Sequence, residues 1–272
     1  MAYSPITNQE VSDILRMRGN SPLHISGDVI GEMQSEILSL TNLNSVLFYE
    51  PEEMIISVQS GINLDELEKT LSAKGQWIPT LVAEESLEQT LGAAIASDHF
   101  HPRAKNCGAL RTTILGGTFS TTNGEIFKSG SRVVKSVAGY DIHRAFCGSR
   151  GLFGIILDLT LKVQPLPETF YRFLAPIDSR EKLLQFHPSC IEEFSDKLLV
   201  EFSGYKEDIE ADRDELRASK INSEELNSEN WNIAIKTLIQ LRDEDNEKFL
   251  SSNVEELLKK VQRVFDPEGV LV

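Results

Sequence analysis

Between Lys128 and Pro165 the chain sets five glycines, Gly130, Gly139, Gly148, Gly151 and Gly154, among short apolar runs. Glycine at that density lets a backbone turn sharply or pass close to something flat or highly charged. Lys135 and Arg144 flank an Ala-Gly-Tyr-Asp turn, Ala138 to Asp141. The stretch closes on an alternating apolar pattern, Ile155 to Val163, which predicts a strand stopped at Pro165. Sharp turns alone would also account for the glycines, so two readings stay open at this point.

The segments ahead of this stretch alternate between helical and extended patterns. Residues 1 to 20 read as a short amphipathic helix with Val11, Ile14, Leu15 and Met17 as its inward candidates. Extended runs follow within Ser21 to Gly31, in Ile37 to Glu50 and in Met54 to Gln59. Asn63 caps a helix that carries Leu64, Leu67 and Leu71 on one face, with Gly75 past its end. Leu87 to Ser97 predicts a short helix of small residues, Gly92, Ala93, Ala94 and Ala96, open to close approach by a neighbour. Asp98 to Asn106 reads as a polar loop. Two short strands, Thr113 to Gly116 and Thr118 to Thr121, lead to an Asn123-Gly124 hairpin signal and a return strand at Glu125 to Lys128.

Beyond Pro165 and Pro167 the pattern predicts a strand at Thr169 to Ala175 and a helix at Arg180 to Phe194. It continues with a strand at Leu198 to Ser203, an acidic helix at Tyr205 to Ser219 and an amphipathic helix at Asn230 to Asp243. A last helix, Asn253 to Phe265, precedes the Asp266-Pro267-Glu268-Gly269 turn. The class is α+β, and the two prolines mark a domain boundary. The expected division is 1–166, 167–252 and a returning C-terminal segment, 253–272.

Composition narrows the function. A formal net charge of −15 over 272 residues repels nucleic acid and anionic lipid. No apolar run approaches the roughly 18 residues of a membrane span, and the first twenty residues lack the apolar core of a secretory signal. Three well-separated cysteines, Cys107, Cys147 and Cys190, give neither a disulfide framework nor a zinc motif. The expected compartment is the cytoplasm. His99 and His101 are the one histidine cluster, with no third ligand at metal spacing. Loop surface is the expectation for them ahead of a metal site, and His187 reads as a surface or capping residue. Gly148-Ser149-Arg150-Gly151 lacks the Gly-Lys-Ser/Thr of a P-loop, and no Gly-x-Gly-x-x-Gly opens a helix.

Thr90 to Ala93, Val134 to Asp141, Gly148 to Gly154 and Val264 to Gly269 together resemble phrases of the vanillyl-alcohol oxidase/p-cresol methylhydroxylase (PCMH-type) flavoproteins, and within them of the GlcE-like FAD-binding subunits of glycolate oxidase. Thr90-Leu91-Gly92-Ala93 is similar to that family's Thr-Val-Gly-Gly. The spacing then holds through Pro102-Arg103, Gly108, Arg111 and Leu115-Gly116. Val134 to Asp141 resembles Lys-Asn-Val-Ala-Gly-Tyr-Asp, and Gly148 to Gly154 resembles Gly-Ser-x-Gly-Thr-Leu-Gly. Val264 to Gly269 matches the closing phrase of such chains. Departures fall at His24 to Asp28, where the family has Arg-Gly-Gly-Gly-Ser/Asn, and at Thr112, Ser136 and Ala93. Asp28 sets a negative charge where a pyrophosphate would lie.

The resemblance implies a PCMH-type FAD-binding fold of two α+β subdomains followed by a reduced α+β cap domain. It implies FAD held non-covalently, weakly or not at all, by Ser26, Gly27, Thr90, Leu91, Gly92, Ser97, Gly108, Arg111, Gly139, Tyr140, Asp141, Gly148, Ile155 and Ile156. For His99 and His101 it adds a flavin-edge position to the loop-surface reading. No catalytic residue and no metal ligand is assigned. The implied activity is oxidation of 2-hydroxy acids, glycolate or D-lactate, by a complex in which this chain is accessory. The implied partners are a catalytic flavoprotein subunit and an iron–sulfur subunit, with localisation in the cytoplasm or at the inner membrane through those partners. The alternative is a flavin-free scaffold acting through protein contacts; a stand-alone oxidoreductase is a third reading.

Overall fold

A computed structural model describes residues 2–18, 23–26, 36–81, 89–98, 101–131 and 141–249, the last eleven by their backbone only. The first elements are β1 (Ala2–Tyr3), α1 (Asn8–Arg18), β2 (Leu23–Ser26), β3 (Glu36–Ser39), β4 (Val46–Glu50) and β5 (Ile55–Gln59). Then come α2 (Leu64–Ser72), β6 (Gln76–Trp77), α3 (Leu91–Ser97), α4 (Ala104–Cys107), α5 (Leu110–Thr113), β7 (Ile114–Ser120) and β8 (Ile126–Gly130). The chain continues through α6 (Ile142–Ala145), β9 (Ile155–Lys162), β10 (Gln164–Pro165), β11 (Thr169–Pro176) and α7 (Arg180–Leu184). It ends in β12 (Cys190–Phe194), β13 (Lys197–Gly204), α8 (Lys206–Ala218), β14 (Glu224–Glu225) and α9 (Ser228–Phe249).

Two compact units result. The described residues of Met1–His99 and Leu110–Gln164 form the first, and Phe100–Ala109 joins Pro165–Lys248 in the second. In the first unit, β1, β3 and β2 make a parallel sheet, in which Ser26 at the end of β2 stands opposite Ser39. The larger sheet is antiparallel, in the order β4-β5-β9-β7-β8. Its central strand, β9, is buried at seven successive positions from Ile155 to Leu161. The strand expected there forms, and its side chains enter two cores. Ile155 and Leu157 pack with Val11, Leu15, Leu23 and Leu38, while Ile156, Leu159 and Leu161 pack with Leu67, Leu71, Leu91 and Ile95. Thr160 and Asp158 are the polar exceptions. Asp158 accepts the Thr118 amide at 3.1 Å, where the β7 register shifts between Thr118 and Phe119.

Three expectations are corrected here. The two strands expected at 113–121 are one, β7, because Gly117 is no breaker. A Cβ on it would lie 2.4 Å from the Asp158 carbonyl oxygen, so glycine permits close strand approach. The helix expected at Arg180 to Phe194 stops at Leu184. His187 is left-handed (φ 53) ahead of Pro188, and β12 follows; proline removes the donor a continuing helix needs. The polar loop expected at Asp98 to Asn106 holds buried His101, Pro102 and Arg103 and the start of α4. The expected helix at 253–265 lies outside the described residues.

In the second unit β12-β13-β11-β14 form an antiparallel sheet with a core on each face. Tyr171, Phe173, Val200 and Phe202 pack with Leu183, Ile209 and Leu216. Cys190 and Leu199 pack with Trp231, Ile235 and Leu238 of α9. No helix among the described residues is long and apolar enough to cross a membrane.

Candidate functional site

The small-residue helix α3 and the glycine turn before β9 lie together in the first unit. Thr90 caps α3, its hydroxyl accepting the Ala93 amide at 3.3 Å. The Leu91 amide donates to Ile62 O (2.9 Å), that of Gly92 to Ser60 O (2.7 Å) and that of Ala94 to Thr90 O (3.0 Å). The first-turn amides are thus engaged within the protein. What Gly92 contributes is proximity: an added Cβ would sit 3.0 Å from Ser60 Cβ and 3.1 Å from Ser60 O. At the other end the Ser97 hydroxyl donates to Ala93 O at 2.8 Å, and Asp98 closes the helix in a left-handed conformation, φ 45.

The turn is fastened to that end of α3. The Gly148 amide donates to Ile95 O (3.0 Å) and the Arg150 amide to Ala96 O (2.8 Å). Gly148, Arg150, Gly151 and Gly154 all have positive φ. Asp98 completes the fastening, receiving Arg111 Nη2 at 3.0 Å. Burial, with the Asp98 charge and hydrogen bond beside it, pushes the Cys147 thiol up to about 12. This cysteine is therefore a packed, unreactive thiol. Gly151 faces the small parallel sheet: a Cβ there would lie 3.8 Å from Ile25 Cδ1, one residue before Ser26. Ile155 and Ile156 open β9 directly after the turn.

Two hydroxyls flank this arrangement without hydrogen-bond partners, Ser60 Oγ beside Gly92 and Ser149 Oγ within the turn. Both residues are at most 5% exposed, and an unsatisfied buried polar group of this kind costs about 1–3 kcal/mol. An extended ligand rich in acceptors would relieve that cost, so the residues present fit a dinucleotide. The fit rests on backbone proximity and unpartnered hydroxyls, with none of it on α3 amides.

Of the residues singled out from sequence, Ser26, Thr90, Leu91, Gly92, Ser97, Arg111, Gly148, Ile155 and Ile156 fall in this part of the first unit. Asp141 is exposed and pairs with Arg144 at 3.3 Å. Gly108, with φ 93, belongs to the second unit. Gly27, Gly139 and Tyr140 lie outside the described residues, as do Asp28, Lys135 and His99. Sequence reasoning passed over Asp98, Ser60 and Ser149. Asp98 leaves one trace, an acidic residue where a helix of small residues ends; Ser149 stands in the Gly-Ser-x-Gly phrase, and Ser60 leaves no trace.

The second unit holds a buried ionic cluster. Glu201 on β13, 0% exposed, accepts Arg103 Nε at 2.6 Å, Arg103 Nη2 at 2.7 Å and Arg172 Nε at 2.8 Å. Arg172 stacks over Phe170 and Trp231, at 4.4 and 5.2 Å from the ring centroids. Lys105 pairs with Glu192, and Asn106 Nδ2 donates to Pro188 O at 2.6 Å. His101, expected at a loop surface, is buried and accepts the Arg103 amide on Nδ1 at 3.1 Å. Burial, then the Arg103 charge, lowers its pKa to about 3, so the ring is neutral. No group of three or more metal-ligating side chains occurs among the described residues.

Comparison with known proteins adds independent findings. Residues 7–130 match the family model described as FAD binding domain. The chain is 28% identical over 179 residues to the glycolate oxidase subunit GlcE of Escherichia coli (strain K12), covering 65% of this chain and 50% of that one. It is 32% identical over 152 residues to a D-lactate dehydrogenase of Anaerostipes hadrus, covering 56% of this chain and 32% of that one. The chain thus spans half or less of these two curated relatives. Among solved structures, an alkyldihydroxyacetonephosphate synthase superposes with a TM-score of 0.68 at 16% identity, over 99% of this chain and 75% of that one. At that identity the likeness is one of fold.

Proposed function

We propose that this chain, whose residues 7–130 match the family model described as FAD binding domain, is an FAD-binding accessory subunit of a glycolate oxidase-type complex. The complex would oxidise 2-hydroxy acids such as glycolate or D-lactate through a separate catalytic flavoprotein subunit, with an iron–sulfur subunit carrying electrons onward. Names among the relatives, a glycolate oxidase subunit and a D-lactate dehydrogenase, support the substrate class. Bound FAD would supply the hydride acceptor. Thr90 to Ser97, the Gly148–Gly154 turn, Ser26 and the Ile155-Ile156 strand start are the described residues that would hold it.

The observation that carries the accessory role is the engagement of Arg103 and Arg172 by Glu201. Oxidising a 2-hydroxy acid takes a cation for the carboxylate and a base for the hydroxyl. In the second unit two buried arginines hold the chain's own carboxylate, and the neutral His101 takes a backbone amide on one nitrogen. These groups serve the interior of that unit. The test is to purify the chain, titrate it with FAD, and assay glycolate and D-lactate with an artificial electron acceptor, alone and with partner subunits. Flavin absorbance without turnover by the isolated chain, and turnover restored with partners, is expected. Turnover by the chain alone would overturn the accessory role. The internally engaged amides of α3 favour one other reading, a flavin-free scaffold, which absent flavin binding would select.

A further inference from the structure

Arg150 sits inside the glycine turn with a left-handed backbone, φ 51, a conformation that an L-residue adopts at a cost. Its amide is fixed on Ala96 O, yet its side chain is exposed. Arg111 and Arg144 each hold a carboxylate. Arg150 makes no ion pair, hydrogen bond or ring contact through its guanidinium among the described residues. In a chain of formal net charge −15, carboxylates are not scarce. Asp98, which closes α3 beside Gly148, is already paired with Arg111.

The neighbours on either side add to this. Ser149 before it is 5% exposed, with a hydroxyl that has no partner. Gly151 after it faces Ile25, which precedes the last residue of β2. An unpaired guanidinium, an unsatisfied buried hydroxyl and a strand end therefore meet at one turn. A guanidinium fork matches two phosphate oxygens, and hydrogen bonds to a charged acceptor are the strong ones.

We propose that Arg150, with the Ser149 hydroxyl, binds the diphosphate of a dinucleotide, which on the reading above is FAD. Arg150 is exposed, so Arg150→Ala should fold, which its melting temperature checks. Titrate wild type and variant with FAD, riboflavin and ADP at low and high salt. The variant should bind FAD and ADP about tenfold more weakly and riboflavin unchanged, because one charge-assisted contact is worth roughly that factor. Its FAD affinity should also depend less on salt. Equal FAD and ADP affinities in both proteins, or an equal loss with riboflavin, would overturn the assignment. Wild type that binds ADP but no flavin would leave the diphosphate site standing and remove the flavin reading. Binding of neither removes both.

Discussion

His101 has two ring nitrogens and one hydrogen-bond partner. Nδ1 accepts the Arg103 amide, while Nε2 is buried and unpartnered. Burial comes first and the neighbouring Arg103 charge second in lowering its pKa to about 3, against an ordinary value of 6.5. The unfolded chain therefore binds a proton at mildly acidic pH that the folded chain refuses. Stability from this group is complete above the unfolded value and is lost as pH falls from there toward 3. By about pH 5 the loss reaches about 2 kcal/mol. Replacing the imidazole by a neutral amide, His101→Asn, keeps an acceptor for the Arg103 amide and removes the titration. Urea melts should show the variant losing about 2 kcal/mol less than wild type between neutral pH and about pH 5. Parallel acid losses in the two proteins would mean that His101 takes up its proton in the folded state.

At the scale of elements, the turn ahead of β9 separates glycines that the backbone requires from those it merely tolerates. Gly154 has φ 128, and a Cβ there would lie 2.4 Å from the Ser120 carbonyl oxygen. Gly151 has φ 79, and among the described residues only Ile25 Cδ1 lies nearby, at 3.8 Å. Gly154→Ala should cost about 3 kcal/mol or more, through strain plus a clash with fixed backbone. Gly151→Ala should cost about 1 kcal/mol, the left-handed penalty alone. Urea midpoints decide it, and equal losses would refute the distinction. Sequence density marked the glycines but not their ranking, since the Ser120 carbonyl comes from a strand more than thirty positions away. The same limit explains the other differences. Helix α2 was legible because Asn63, Leu64, Leu67 and Leu71 are a local pattern, and Asn63 does accept the Asp65 amide at 2.8 Å. β12 was misread as helix because Cys190, Ile191 and Phe194 fit either period, and Pro188 was the signal against it. The buried segment around Arg103 was invisible because its partner, Glu201, is 98 residues away.

For the whole molecule, that long-range pair matters most because the second unit is discontinuous in sequence. Phe100–Ala109 leaves the first unit's chain and belongs with Pro165–Lys248. Closing so long a loop is entropically costly, and the polar contacts between the segment and the rest of its unit include Arg103–Glu201, Lys105–Glu192 and Asn106–Pro188. Breaking a buried ion pair strands a charge and costs about 3–5 kcal/mol, more than the pair contributes over an apolar replacement. The three-way geometry then fixes an order. Arg103→Met leaves Glu201 with Arg172, so one strong contact survives. Glu201→Leu leaves two guanidiniums facing an apolar side chain and each other. The second substitution should therefore destabilise by about 3–5 kcal/mol and the first by roughly half that. Hydrogen exchange supplies the whole-molecule readout. Both variants should lose protection at the Cys107 amide, which donates to Arg103 O at 2.8 Å. Only Glu201→Leu should also expose the β11–β13 ladder, because only it unpairs Arg172 from its neighbour strand. Equal destabilisation by the two would show that Arg172 contributes no ion pairing, and intact Cys107 protection in both would show that the segment is held by packing rather than by charge.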